Sequence, residues 1–358
     1  MERLLREMRD RKASDLYLKP GNYPYLRVEG KIVPIGEKRI SPEEMEEVIS
    51  FFLPEEKREK FWKEKEIDIS FQSEELGRFR VNLFQEKNRP VAVVREVKEV
   101  IPSFEELNLP GEVLRTLCRE KNGLVLVTGP AGCGKSTTLA AMIEYINSTL
   151  ECHILTIEDP IEFVHQDRKS IVNQREVGSD TLSFSRALKS VVRESPDVIM
   201  IGEIRDRETL QAAIDAAETG QLVLTSLHTI DAPQTIERIL SLFPLDYQNQ
   251  IRLQLSNLIK GIISLRLLPR KDGKGRVPAV SVMLGTPTIR KYIREGRIED
   301  IYRIMEEGKI FGMCTFNQAL LELYSRGIIE YEVALAASDR PHEFEIVARG
   351  IIPGSKGE

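Results

Sequence analysis

The sequence predicts an α/β protein whose larger part is a mostly parallel sheet covered by helices. After residue 120, four short apolar runs recur, each typical of a buried parallel strand, and helical patterns separate them. Each run leads directly into a polar cluster, and one of these clusters is a glycine-rich loop that opens a helix. Hydrophobic residues make up 41% and charged residues 30% of the 358 residues, which is typical of a globular protein of two or three domains.

Residues 1–98 are predicted to form a small α/β domain. Its clearest local signal is Ser41-Pro42-Glu43-Glu44, because Ser41 can cap a helix and Glu44 can complete a capping box. A helix is predicted around Leu4, Leu5 and Met8, and strands are predicted at 15–18, 25–34 (two strands joined at Gly30), 78–84 and 91–95. Two prolines and mixed charge predict a linker at 99–112.

Residues 113–358 are predicted to form the second domain, with strands at 124–127, 153–157, 198–201 and 222–225. Predicted helices follow the glycine-rich loop, surround Phe184, Leu188, Val191 and Val192, and run from Leu210 to a C-terminal cap at Gly220. From about 286 to 350 the pattern is that of a helical region.

The glycine-rich loop matches the phosphate-loop pattern G-x-x-x-x-G-K-[ST] between a strand and a helix. Its backbone N–H groups and the positive helix N-terminus can face phosphates, Lys135 can reach the β- and γ-phosphates, and the Ser136 hydroxyl can bind Mg²⁺. The sequence therefore predicts a nucleoside triphosphate site formed by Gly129, Pro130, Ala131, Gly132, Cys133, Gly134, Lys135, Ser136 and Thr137. Because Cys133 lies near a helix N-terminus and beside Lys135, its thiol is expected to have a lowered pKa and to face the phosphates.

Polar residues follow the other predicted strands, and ligands of such sheets bind at the carboxyl ends of the strands. Glu203 is the predicted general base or water-orienting residue, and His228 is predicted to contact the γ-phosphate. Many phosphate-loop enzymes have an Asp where this chain has Gly202, so Glu158 or Asp159 is expected to organise the water shell of Mg²⁺. Asp159-Pro160 is alternatively a simple turn signal.

Arginines on the late strands of the small domain have two interpretations. Arg78, Arg80 and Arg95 are either a solvated strand face or a source of positive charge for the outer side of the γ-phosphate.

Bulk properties exclude several classes of protein. A formal net charge of −5 and a single Trp argue against nucleic-acid binding. The four cysteines form no C-x-x-C pair, so neither a disulfide framework nor a zinc site is indicated. The charged N-terminus does not resemble a signal peptide, and no apolar run reaches membrane-spanning length, so a cytoplasmic protein is expected.

Several segments resemble the secretion-superfamily ATPases and, within them, the type IV pilus retraction ATPases (the PilT family). The segments at 156–163, 202–206 and 227–229 resemble the acidic box, atypical Walker B and histidine box of the superfamily. Those at 172–178 and 216–220 match the same group, and those at 13–16, 78–82, 285–287 and 312–316 resemble the retraction ATPases in particular.

The resemblance implies a PAS-like N-terminal domain, a RecA-like motor domain and a ring-shaped homohexamer. It implies an ATP-hydrolysing motor for pilus retraction and twitching motility, which needs ATP and Mg²⁺ and in which Arg80 and Arg95 reach the nucleotide. The implied partner is an inner-membrane pilus platform protein. Membrane association at the cytoplasmic face of the inner membrane would then be peripheral and through that partner alone.

Two departures from the family pattern leave alternatives open. Ala131 and Cys133 stand where the family commonly has Thr and Ser, and three positions differ in the segment 288–295, which matches a motif associated with retraction. An accessory or assembly ATPase of a pilus or type II secretion-like machine is therefore an alternative, and a non-hydrolysing nucleotide-dependent scaffold is another. Retraction is favoured over assembly, because this chain lacks the four-cysteine zinc insertion and the additional N-terminal domain of the assembly relatives.

Overall fold

The computed structural model describes residues 1–28, 30–73, 75–97, 100–191 and 193–351. It divides into two compact units, one formed by Met1–Val100 with Pro160–Val164, and the other by Ile101–Asp159 with His165–Glu358. Residue 99 of the predicted linker and Val192 of a predicted helix lie outside the described residues. The α/β class predicted from the sequence is confirmed.

In its described residues, the first unit contains a six-stranded antiparallel sheet in the order β3-β2-β1-β6-β5-β4. Its strands are β1 (Asp15–Leu18), β2 (Tyr25–Val28), β3 (Lys31–Pro34), β4 (Glu66–Ser73), β5 (Gly77–Glu86) and β6 (Arg89–Glu96). Its helices are α1 (Glu2–Asp10), α2 (Pro42–Phe52) and α3 (Glu55–Glu64).

Alternation along the strands separates the two faces of this sheet. On β5, Phe79, Val81 and Leu83 are buried, while the arginines at 78 and 80 lie on the other face. The predicted capping box at Ser41 and Glu44 is present, and it starts α2 where the sequence placed it.

The second unit contains, within the described ranges, a seven-stranded sheet in the order β13-β12-β7-β11-β10-β8-β9. Neighbouring strands are parallel except for β12 and β13, which are antiparallel. The strands are β7 (Gly123–Thr128), β8 (His153–Glu158), β9 (Ile171–Glu176), β10 (Val198–Ile201), β11 (Leu222–Leu227), β12 (Ile259–Pro269) and β13 (Arg276–Leu284).

Helices cover both faces of this sheet. They are α4 (Gly111–Cys118), α5 (Lys135–Thr149), α6 (Phe184–Val191), α7 (Arg207–Glu218), α8 (Ala232–Ser241), α9 (Leu245–Leu258), α10 (Pro287–Glu295), α11 (Ile301–Glu307), α12 (Phe316–Ser325), α13 (Tyr331–Ala337) and α14 (Pro341–Ile351). Short 3₁₀ helices lie at Ile298–Asp300 and Gly308–Phe311.

Burial on both faces explains why the central strands read as continuous apolar runs. Every residue of β7 and of β11 is buried. Leu124 and Leu126 pack into the core that includes residues of α7 and α9, whereas Val125 and Val127 pack into the core that includes residues of α5. An alternating pattern would have left one of these faces polar, so the uninterrupted runs are the expected signature of a covered parallel sheet.

Arg266 on β12 connects the sheet to the helical C-terminal region. Its guanidinium lies 3.9 Å from the ring centroid of Phe316 on α12, pairs with Asp339 and donates to the carbonyl of Ala337.

In the described part of the chain, no helix combines the length and the apolar character needed to cross a membrane.

Candidate active site

The predicted phosphate loop connects β7 to α5. Gly134 caps the helix with a φ of 102°, a backbone conformation that favours glycine, and α5 begins at Lys135. Gly129 is required for a second reason, since a Cβ there would lie 2.5 Å from the carbonyl oxygen of Leu265 and 2.6 Å from Cys133 Sγ. Both glycines therefore fix the backbone path that brings the loop N–H groups and the helix N-terminus together.

Lys135 is buried and lies against the loop that precedes it. Its Nζ donates to the carbonyl oxygens of Gly129 at 2.9 Å and Pro130 at 3.0 Å. The same Nζ lies 3.5 Å from His228 Nδ1, at the end of the neighbouring strand β11. The ammonium group thus lies where the loop meets the polar residues at the strand ends.

The Cys133 side chain is buried, whereas the sequence led us to expect a thiol that faces the phosphates. The residue is only 4% exposed and belongs to the apolar core that includes Val127 and Leu139. Burial raises the pKa of the Cys133 thiol and outweighs the lowering effects of Lys135 and of backbone N–H groups. The expected lowered pKa is therefore wrong, because the side chain enters the core and leaves only its backbone to the loop.

Glu203 and His228 lie three residues before the N-caps of two helices. Asp206 caps α7 by accepting from the N–H of Thr209, and Asp231 caps α8 by accepting from the N–H of Gln234, both at 2.8 Å. Each predicted site residue thus lies in the short connection between a buried strand and a capped helix. This explains why both reach the same edge of the sheet.

The Glu203 carboxylate contacts a guanidinium group and an imidazole ring. His228 Nε2 lies 3.2 Å from Glu203 Oε2, and Arg205 pairs with Glu203 Oε1. Partial burial acts to raise the pKa of Glu203, but the hydrogen bond and charge of Arg205, with a further contribution from His228, hold it below its ordinary value. The carboxyl group is therefore kept ionised, as a water-orienting or basic group requires.

Arg205 extends this set of contacts to the next strand. Its NH1 lies 4.0 Å from Asp159 Oδ2, just beyond the end of β8. The structure accordingly brings together Lys135, His228, Glu203, Arg205 and Asp159 through successive side-chain contacts.

Glu158, the last residue of β8, is buried beside this set. A Cβ at Gly202 would lie 3.5 Å from Glu158 Cα, so the two strand ends are adjacent. Glu158 Oε1 accepts hydrogen bonds from Thr156 Oγ1 at 2.6 Å and from Gln174 Nε2 at 3.1 Å. The predicted carboxylate is therefore in place at the sheet edge with its orientation fixed by two neutral donors.

Arg80 and Arg95 belong to the first unit, where they are register partners on β5 and β6. Arg95 donates to the buried carboxylate of Asp15, with Nε at 2.8 Å and NH2 at 2.7 Å from Oδ1. Arg80 NH2 lies 3.6 Å from Asp68 Oδ2, and both of those side chains are exposed. Contact of either arginine with a nucleotide stays a prediction.

Sequence reasoning missed the roles of three residues near the site. Arg205, Thr156 and Gln174 lie within segments that carry the family resemblance, but the sequence analysis assigns none of them a role of its own. A signal existed for Thr156, because residues two apart on a strand share a face and Thr156 precedes Glu158 by two. No local pattern indicates that Gln174 meets Glu158.

The residues of the site fit a magnesium ion that would bind together with the phosphates of a nucleotide. Among the described residues, no group of three or more His, Cys, Asp or Glu side chains could hold a metal ion. Mg²⁺ characteristically uses one or two protein oxygens plus substrate phosphates and water. Ser136, exposed in the first turn of α5, provides an oxygen at the loop, and Glu158 or Asp159 provides carboxylates nearby.

Comparison with known proteins agrees with this architecture. The model of the type II/IV secretion system protein family matches residues 2–325. A type IV pilus ATPase, PilU, of Pseudomonas aeruginosa is 42% identical over 97% of this chain and 91% of its own length. The type IV pilus retraction ATPase PilT of the same organism is 43% identical over 93% of this chain and 96% of its own length.

A solved structure gives the same result. The crystal structure of the pilus retraction motor PilT with bound ADP has a TM-score of 0.90 and 45% identity to this chain. It covers 96% of this chain, and this chain covers 98% of it. The fold and the order of elements are thus shared over nearly the entire length.

Proposed function

Because this chain belongs to the type II/IV secretion system protein family and is PilT-like over most of its length, we propose that it is an ATPase whose hydrolysis of ATP powers type IV pilus retraction. The observation that carries the proposal is the contact of Lys135, His228 and Glu203 directly beside a phosphate loop. A triphosphate needs a cation at the loop and a carboxylate near the attacking water, and this arrangement supplies both.

The proposed roles follow from position and charge. Backbone N–H groups of residues 129–137 cradle the phosphates, and the Lys135 ammonium turns from the loop carbonyls to the β- and γ-phosphates. Glu203, held ionised, orients the attacking water and accepts its proton. When bound with the nucleotide, Mg²⁺ neutralises phosphate charge, with Ser136 as a ligand and Glu158 or Asp159 holding its water shell.

Assembly into a homohexameric ring is part of the same proposal. Arg80 and Arg95 would then reach the nucleotide and supply positive charge on the outer side of the γ-phosphate. The motor would act on a platform protein at the cytoplasmic face of the inner membrane, with which it associates peripherally.

Replacement of two site residues tests the chemistry. Glu203→Gln keeps the volume but removes the charge, so ATP binding should persist while hydrolysis falls by about 10²-fold or more. Lys135→Ala should weaken ATP binding itself. Glu208→Gln makes the same chemical change at an exposed position on α7 and should hydrolyse ATP normally. Wild-type turnover in Glu203→Gln would exclude Glu203 as the base, whereas ATP binding without hydrolysis by the wild-type protein would favour the non-hydrolysing scaffold.

Mixing of inactive subunits tests the ring. If Arg80 completes a site on a neighbouring subunit, Lys135→Ala and Arg80→Ala proteins should regain activity together, because some interfaces pair two intact halves. No recovery in mixed rings, whose formation is verified by native mass spectrometry, would place Arg80 in its own subunit's site or outside the mechanism.

A second candidate is an accessory motor of the same pilus machine. It is favoured by one observation, since PilU is as similar to this chain as PilT is. Deletion of the gene distinguishes the two roles: many surface pili with no twitching indicate the principal retraction motor, whereas normal pilus number with reduced twitching indicates an accessory one.

A further inference from the structure

The side chain of Gln174 connects the Glu158 carboxylate to the backbone of His165. Its Nε2 lies 3.1 Å from Glu158 Oε1, and its Oε1 lies 2.8 Å from the backbone nitrogen of His165. The amide can have only one orientation here, because the His165 N–H is a donor and must face the carbonyl oxygen. The NH₂ group therefore donates to Glu158.

Sheet register explains why two donors converge on one carboxylate oxygen. Thr156 on β8 and Gln174 on β9 are register partners, and Glu158 is two residues beyond Thr156 on the same face. Thr156 Oγ1 and Gln174 Nε2 both donate to Oε1 of Glu158, at 2.6 and 3.1 Å. The paired residues Thr156 and Gln174 thus fix the rotamer of Glu158, two residues further along β8.

The far end of this contact is anchored to α5, the helix that begins at Lys135. The His165 ring, nearly fully buried, has Nδ1 3.2 Å from Glu144 Oε2 on α5. Asn147, also on α5 and fully buried, donates to the carbonyl of Gln166 at 2.8 Å and accepts from the N–H of Arg168 at 3.1 Å. The segment that supports Gln174 is therefore held by the same helix whose first turn belongs to the phosphate loop.

We propose that Gln174 is a positioning residue for Glu158, and that with Thr156 it keeps this carboxylate at a fixed position relative to the phosphate loop. The inference rests on the proposed role of Glu158 at the nucleotide. A neutral amide suits the task, because it orients the carboxylate without neutralising its charge. Supporting residues of this kind typically change metal affinity or activity by about 10–100-fold when removed.

The test measures kcat, KM for ATP and the Mg²⁺ concentration for half-maximal activity in the full-length protein. Gln174→Ala should lower kcat by about 10-fold or more and raise the Mg²⁺ requirement, with KM for ATP little changed. Gln174→Glu should lose more activity, because its second oxygen faces Glu158 and two carboxylates repel.

Two controls separate positioning from a structural role. Asn173→Ala removes an amide from the same strand, where it contacts His153 on the other face, and should leave kcat and the Mg²⁺ requirement unchanged. In a Glu158→Gln background, Gln174→Ala should cause little further loss of kcat, because its effect passes through the missing carboxylate.

An equal loss in both backgrounds, or a lowered melting temperature with unchanged kcat and Mg²⁺ requirement, would overturn the inference. Wild-type turnover in Glu158→Gln alone would instead show that the proposed role of Glu158 is wrong.

Discussion

His228 Nε2 lies 3.2 Å from Glu203 Oε2, which links the connections that follow strands β11 and β10. On its other side, His228 Nδ1 lies 3.5 Å from Lys135 Nζ. Lysine is only a donor and a carboxylate only an acceptor, so these partners select the tautomer with the proton on Nε2. The imidazole therefore joins the cation of the phosphate loop to the candidate base.

His228→Ala should lower kcat for ATP hydrolysis by about 10-fold or more, within the range of supporting residues, while ATP binding persists. The reason is that Glu203 loses one of its two orienting contacts. In a Glu203→Gln background the same change should cost little more, because the two residues act as one unit. Measured kcat for both single variants and the double variant decides this, and additive losses would mean that His228 acts independently of Glu203.

Arg205→Ala should shift the acidic limb of the kcat–pH profile to higher pH. Arg205 holds the pKa of Glu203 down, so its removal lets that pKa rise and Glu203 becomes protonated at a higher pH. Activity that needs the ionised carboxylate is then lost earlier as the pH falls. Arg207→Ala removes an equal charge two residues away, where the guanidinium stacks on Phe243, and should leave the limb in place. Overlapping profiles for Arg205→Ala and wild type would contradict this prediction.

The register partners Arg80 and Arg95 should differ in their effect on stability. Arg95→Ala removes a partner of the buried Asp15 carboxylate, which should cost about 1–3 kcal/mol of unfolding free energy. Arg80→Ala breaks an exposed pair and should cost about 0–1 kcal/mol. Denaturant unfolding of the two full-length variants measures the difference. Equal stabilities would show that Asp15 is satisfied without Arg95, through Arg27 and Ser14.

Cys133 should react with iodoacetamide more slowly than the half-buried Cys152. Both thiols have a raised pKa, but Cys133 lies deeper in the core, so both its thiolate fraction and its accessibility are low. Mg-ATP should change its slow rate little. Labelling rates from mass spectrometry, with denatured protein as the reference for full reactivity, test this. Rapid labelling of Cys133 that nucleotide blocks would mean that the thiol does face the phosphates.

Local patterns in the sequence were enough to predict the phosphate loop, the central strands and the positions of Glu203, Glu158 and His228. Each depends on residues close together in the chain: a glycine that permits a tight turn, an apolar run that needs burial on both faces, or a cap that starts a helix. Local patterns missed the polar edge strand β4, because Ile69 is the one buried residue of Glu66–Ser73 and the apolar signal of this strand is weak.

Contacts between distant residues were decided by the tertiary structure alone. Gln174 meets Glu158 because β9 pairs with β8 in one particular register, and Asp15 lies between Arg27 and Arg95 because β1 lies between β2 and β6. The Cys133 thiol likewise packs into the core in the space that the missing side chain of Gly129 leaves, which the local sequence does not reveal. Sequence patterns indicate which backbone conformation each segment prefers, whereas strand register and packing determine which side chains form a hydrogen bond or an ion pair.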